Sequence, residues 1–248
     1  MQLSKLKQEL KALASKEKAE FYPRFFKAGP GEYAEGDKFI GVTVPNIRSI
    51  AKKYNKISLK EIQNLLKSKI HEERMVALFI LVDQFKKGNL NQKERIYNFF
   101  LSNTKNINNW DLVDLSAPKI VGEYLLENPN CATTLQGSTF QGTKTLGCLA
   151  KSENLWERRI AIISTFAFIS KGQLLLTLKI SKTLLRDKHD LIHKAVGWML
   201  RETGKRDKEL LEKFLKENYN EIPRTTLRYA IEKFPEAKRL LYLKNPKV

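Results

Sequence analysis

Four shortages narrow what this chain can be. Cysteine occurs twice in 248 residues, at Cys131 and Cys148, with no Cys-x-x-Cys pair. A disulfide between the two stays open, but a reduced pair fits a cytosolic chain better. No stretch approaches the roughly 20 apolar residues of a membrane span. The opening MQLSKLKQELKALASKEKAEF is charged and amphipathic; it lacks an apolar h-region, which excludes a signal peptide and points to a soluble, intracellular, cytoplasmic protein. Strand patterns are scarce as well. The best candidate, IGVTV at 40–44, is short and leads into Pro45, a good first helical residue. Acid is the last shortage. Forty-five Lys and Arg face 27 Asp and Glu, a net charge of +18. Such an excess attracts polyanions: nucleic acid first, then an acidic membrane surface, then an acidic protein.

What is present is helical. The apolar fraction of 42% can bury a core. Leu3, Leu6, Leu10 and Leu13 form a stripe at helical spacing. Ser58-Leu59-Lys60-Glu61 is a capping box, opening a helix whose apolar face is Ile62, Leu65 and Leu66. Asn91 is placed to open another helix, through Ile96, Phe99, Phe100 and Leu101. Three segments resemble one another: EERMVALFILV (72–82), WERRIAIISTF (156–166) and HKAVGWMLRET (193–203). Each sets a basic residue three before a small one, Arg74/Ala77, Arg158/Ala161 and Lys194/Gly197, and then runs apolar. Looser helices are expected at 109–125 and 223–234. Starts roughly 30–45 residues apart match helix-pair repeats. A helix apolar all round must be sandwiched, and MVALFILV fits that place. The expected fold is therefore all-α: one HEAT-like helical-repeat solenoid over 1–248, curved, with a basic concave face. Residues 129–148, PNCATTLQGSTFQGTKTLGC, hold no charge before Lys144 and read as a long loop, an insertion or a poorly formed helix.

The stretch NNWDLVDLSAP at 108–118 carries the first chemical hint. Asn108 or Asn109 can cap a short helix, and Pro118 ends or kinks it. At 100° per residue Leu112, Leu115 and Ser116 form a core side, while Trp110 and Asp114 share a face away from it. Trp156 and Trp198 also lie in or beside the repeated segments, and Trp156 reads as core. Trp198 follows Gly197, a mid-helix glycine that costs about 1 kcal/mol against alanine and suggests close helix packing. Arg159, beside Arg158, falls in the first turn of its helix, where free amides and the helix dipole favour phosphate. Lys194 begins the equivalent turn of the next repeat, next to His193. Taken singly, each has a plainer reading as core, solvated acid or surface ion pair. His189 and His193 stand four apart, but HDLIH lacks the metalloprotease pattern and a third ligand, so no metal site is expected.

Together WDLVD (110–114), NLWERRIAI (154–162) and KAVGWMLRE (194–202) resemble the AlkD-like family of DNA alkylation repair enzymes, over most of the chain and in the family's order. These are bacterial HEAT-like-repeat glycosylases that excise cationic N3- and N7-alkylpurines from duplex DNA, without metal or cofactor and without turning the base out of the helix. The resemblance implies Asp114 as the catalytic carboxylate and Trp110 and Trp198 as active-site tryptophans. It implies Arg159 as the arginine on the DNA backbone, with Arg158, Lys194 and His193 as further contacts. Phe25, in PRFFK, stands where the family more often has tyrosine facing the lesion. The implied partner is double-stranded DNA carrying alkylated purines, bound by a monomer associated with the nucleoid.

The chemistry fits those residue types. An alkylated N3 or N7 makes the purine a cationic leaving group that needs no protonation. What needs stabilising is the sugar cation, for which a carboxylate supplies opposite charge and positions water. Tryptophan faces attract cations by roughly 0.5–2 kcal/mol each. Two other classes stay open on the residues alone: a non-enzymatic helical-repeat protein that binds DNA or RNA structure, and a scaffold for acidic peptides. Neither needs the set Trp110, Asp114, Arg159 and Trp198.

Overall fold

The computed structural model describes residues 2–128 and 141–244. It is all-helical. Among the described residues the only β pairing is a single bridge between Lys38 and Ile70. The chain divides into two compact units, residues 1–116 and 117–248.

The first unit holds α1 (Gln2–Ala12), α2 (Lys16–Phe25), α3 (Val44–Lys53), α4 (Leu59–Leu66), α5 (His71–Lys87), α6 (Leu90–Leu101) and α7 (Trp110–Ala117). The Ser58 capping box forms: Ser58 accepts from the Glu61 amide, and Glu61 accepts from the Ser58 amide. The cap of α6 is Asn89, boxed with Gln92, two residues before the expected Asn91; side chains at 89 and 92 can reach each other's amides, and Asn91 already lies inside the helix. α5 contains MVALFILV and packs between α3 and α4. Ten residues from His71 to Leu81 are buried, with only Phe79 left at the surface of that run.

IGVTV is not a strand. Residues 39–43 form no strand, and Val44-Pro45 begins α3. The amides of this stretch are satisfied by one side chain. Glu72, only 1% exposed, accepts the Ile40, Gly41 and Val42 amides at 2.8–3.3 Å. Gly41 sits at φ +79°, and a Cβ there would lie 2.1 Å from the Ser15 carbonyl; only glycine fits.

The second unit holds a π-helical turn (Pro118–Gly122), α8 (Glu123–Glu127), α9 (Gln141–Leu149), α10 (Leu155–Ser170), α11 (Leu175–Leu184), α12 (Asp190–Arg206), α13 (Lys208–Asn218), α14 (Arg224–Ala230) and α15 (Glu236–Lys244). Pro118, with no N–H to donate, opens the wide turn. Of the 129–148 stretch, 129–140 lies outside the described residues and the remainder falls in α9. α10 packs on α11 and α12, and α12 packs on α14. The three mutually similar sequence segments are thus α5, α10 and α12, the most enclosed helices of their units.

Candidate active site

α7 is anchored at its start by Asn109, fully buried, whose side chain accepts the Trp110 amide at 2.8 Å and whose carbonyl accepts the Val113 amide at 3.1 Å. Four apolar or small residues, Leu112, Val113, Ser116 and Ala117, are buried. Trp110, Asp111, Asp114 and Leu115 line a cavity of about 540 Å³ within the first unit. The expectation that Leu115 belongs to the core side is corrected here. At 100° per residue, 110, 111, 114 and 115 fill one half of the helix and 112, 113, 116 and 117 the other. Leucine at 115 sits on the cavity half because the wall there is apolar.

Most of the remaining wall comes from three helices. α2 presents Phe21, Tyr22 and Phe25, α3 presents Ile47 and Arg48, and α5 presents His71, Glu72, Met75 and Phe79 on one helical stripe. The aromatic rings form a connected set. Phe26 stacks on Trp110 at 5.7 Å and Phe25 meets Trp110 edge-on at 6.1 Å. Phe21 stacks on Phe25 at 6.0 Å, and both remain half exposed, at 56% and 50%. Charge in the lining runs against the chain as a whole: three carboxylates, Glu72, Asp111 and Asp114, face one guanidinium, Arg48, and one imidazole, His71. On a chain of net charge +18 this is an acidic, aromatic recess.

Behind the recess lies a buried ionic chain. The His71 ring nitrogen Nε2 is 2.8 Å from Asp111 Oδ2, and its Nδ1 is 3.6 Å from Asp37 Oδ2. Arg74 reaches the same Asp37 oxygen at 2.6 Å and also donates to the Ser68 carbonyl. Burial pushes the His71 imidazole toward neutrality; the Asp111 charge and the ring's hydrogen bonds to Asp111 and Asp37 outweigh it, so its pKa is raised above 6.5. Sequence reasoning named Phe25 but missed Asp111, His71, Phe21, Tyr22 and Phe26. Asp111 was legible in principle, one helical step from Asp114. The pairing of Arg74 with a partner 37 residues away was not.

A model of the DNA alkylation repair enzyme family matches residues 6–234. The chain belongs to that family. A solved structure titled "Predicted DNA alkylation repair enzyme from Enterococcus faecalis" superposes with a TM-score of 0.69 at 18% identity, covering 90% of this chain and 97% of the other; at that identity the likeness shows the fold. No curated protein matches the chain. Membership makes this a DNA repair enzyme chain.

The remaining residues expected to act in this DNA alkylation repair enzyme lie in the second unit. Trp198, half-buried on α12, is 6.4 Å from Phe166, which is 38% exposed. Trp156 is buried. Arg159 is 5% exposed, with Nη1 donating to the Leu191 carbonyl at 2.6 Å. Arg158 is tied to Asp187 at 2.6 Å and to the carbonyls of Ser152 and Glu153. Lys194 pairs with Asp190 at 2.6 Å and keeps 42% of its side chain exposed. His193 Nε2 donates to the Asp187 carbonyl at 2.5 Å, and His189 Nδ1 accepts the Leu191 amide, capping α12. Both histidines are therefore engaged in local structure. Among the described residues no group of three or more His, Cys, Asp or Glu is placed to hold a metal, and no helix is long and apolar enough to cross a membrane.

Proposed function

We propose that this protein is an AlkD-like DNA glycosylase. It hydrolyses the N-glycosidic bond of cationic N3- and N7-alkylated purines in duplex DNA, with the lesion still in the stack. The observation that carries the reading is that Trp110, Phe25 and Asp114 line one recess that is acidic on a strongly basic chain. A phosphate finds no home between three carboxylates, whereas a delocalised cation finds both π faces and opposite charge.

The C1′–N bond breaks with its electron pair going to the base, which cancels the positive charge on the purine ring. The sugar becomes an oxocarbenium-like cation. Asp114 stabilises that cation and orients the water that adds to C1′; the water's second proton leaves to solvent. Trp110 supplies an aromatic face, and Trp198 is the second tryptophan that the family resemblance assigns to the reaction. Arg159, whose Nη1 donates to the Leu191 carbonyl, is the arginine assigned to the DNA backbone. Arg158, Lys194, His193 and Phe25 complete the set toward DNA.

The test is release of free 7-methylguanine from methylated duplex DNA, comparing wild type with Asp114→Asn. The reading expects release by wild type and a loss of about a hundredfold or more in the variant, with duplex binding retained. Tight duplex binding without any release by wild type would move the protein to the non-enzymatic class.

A further inference from the structure

We propose that His71 is a positioning residue of this site: its ring, clamped between Asp37 and Asp111, holds the first turn of α7 and so sets where Trp110 and Asp114 face the recess. The proposal rests on the glycosylase reading for its kinetic readout alone.

The ring sits between two acids. Each ring nitrogen faces a carboxylate oxygen, Nε2 toward Asp111 at 2.8 Å and Nδ1 toward Asp37 at 3.6 Å. A neutral imidazole carries one N–H and holds one acid, its other nitrogen then facing Arg74 Nη2 at 3.5 Å; the imidazolium donates toward both acids. The charged groups around the ring are Asp37 from the segment before α3, Asp111 from α7 and Arg74 from the next turn of α5. Phe26 and Phe39 pack against it as tilted rings, at 4.9 and 5.0 Å between centroids. His71 itself is 2% exposed, so neither acid is solvated from that direction.

Asp111 joins this anchor to the chemistry. Its Oδ2 is held by His71, while its Oδ1 accepts the Leu112 amide at 2.8 Å. It therefore ties α5 to the turn that begins with Trp110 and carries Asp114 one step on. Phe26, tilted against the His71 ring and stacked on Trp110, links α5 to the start of α7 a second way. Arg74 keeps its own bond to Asp37, so loss of the proton is felt at Asp111, whose charge-assisted bond to the ring becomes a weaker neutral one. The Asp111 turn then loosens, and a misplacement of about 1 Å at a reacting group costs up to about a hundredfold in rate.

The sign follows from the raised pKa. The positioning is fully present below the ordinary imidazole value of 6.5 and is lost as pH rises through the folded value. The chain has three histidines, so NMR resolves the His71 ring in the intact protein. The experiment follows that titration beside the pH profile of kcat in wild type, Asp111→Asn and His71→Gln. In wild type the alkaline fall of kcat coincides with loss of the His71 proton, with KM for the duplex nearly unchanged. Asp111→Asn removes the anion but keeps an acceptor, so both the titration and the fall move to lower pH. His71→Gln donates without titrating, so the fall disappears. Thermal melting of each variant at pH 6 shows that it is folded. A fall that stays in place while the His71 titration moves overturns the proposal, and so does a wild-type fall retained in His71→Gln. If wild type releases no base at any pH, the glycosylase reading fails by itself. The Trp110 indole N–H signal then decides: it must shift with the His71 titration, and indifference overturns the proposal.

Discussion

Removing the Glu72 carboxylate strands three amides at once. Oε1 accepts from Ile40 at 3.1 Å, Gly41 at 2.8 Å and Val42 at 3.3 Å, while Oε2 accepts a second contact from Ile40 at 3.2 Å. Gly41 and Val42 are buried and Ile40 is half-buried. A buried donor left without an acceptor costs about 1–3 kcal/mol. In Glu72→Ala the Ile40 amide turns to water and two donors stay stranded; with the cavity left by the side chain, about 4 kcal/mol is expected. Glu72→Gln keeps an oxygen at the Oε1 position, loses the charge assistance and sets its NH2 against the Ile40 amide, so about 1–2 kcal/mol is expected. Urea unfolding by circular dichroism measures the shift in midpoint. Hydrogen exchange of the 38–44 peptide reads the clamp directly. At every 1.4 kcal/mol per tenfold, Glu72→Ala should speed exchange at Gly41 by about a thousandfold, and Glu72→Gln by about tenfold. Unchanged protection at Gly41 in Glu72→Ala would show that the segment is held by something other than this carboxylate. Val42 and Val44 line the recess, so a loosened segment should also weaken the proposed base excision.

Three further outcomes are expected. A Cβ on residue 197 would lie 2.5 Å from Tyr229 Cβ and 2.6 Å from the Thr226 carbonyl; Gly197→Ala should therefore destabilise by about 1–3 kcal/mol in spite of alanine's better helix propensity, and a raised melting temperature would refute the close α12–α14 approach. Burial, with help from the Arg158 charge, lowers the His189 pKa below 6.5 although Asp187 opposes it. The stability its neutral ring lends to the α12 cap is complete above pH 6.5 and is lost as pH falls through the lowered value, so His189→Asn should narrow the difference between urea midpoints at pH 8 and pH 5; an unchanged difference would sink that account. Duplex affinity should fall steeply with salt, with a log–log slope of several counterions, and a slope of about one would contradict binding through many phosphate contacts.

Much of the local structure was legible in the residues. The Ser58 box, the Pro45 start of α3 and the buried run of α5 depend on groups within four residues of one another, so spacing was enough. The strand suggested at 40–44 failed for an equally physical reason. A strand needs a partner for its amides, and here a single glutamate takes that place from 30 to 32 residues away. Asn91 failed by two residues because capping depends on which side chain meets which amide, and asparagine occurs at both 89 and 91.

The sequence by itself determined the helical class, the repeated enclosed helices, the glycine between α12 and α14, and the sharing of one helical face by Trp110 and Asp114. Each follows from helical period or from the volume of one residue. Only the tertiary structure decided that Leu115 joins that face, that Asp111 does too, and that His71 bridges Asp111 to Asp37. It also gave Arg158 and Arg159 partners 29 and 32 residues along the chain. Those outcomes depend on loops closing over tens of residues, and nothing in local spacing states which buried acid a buried base will meet.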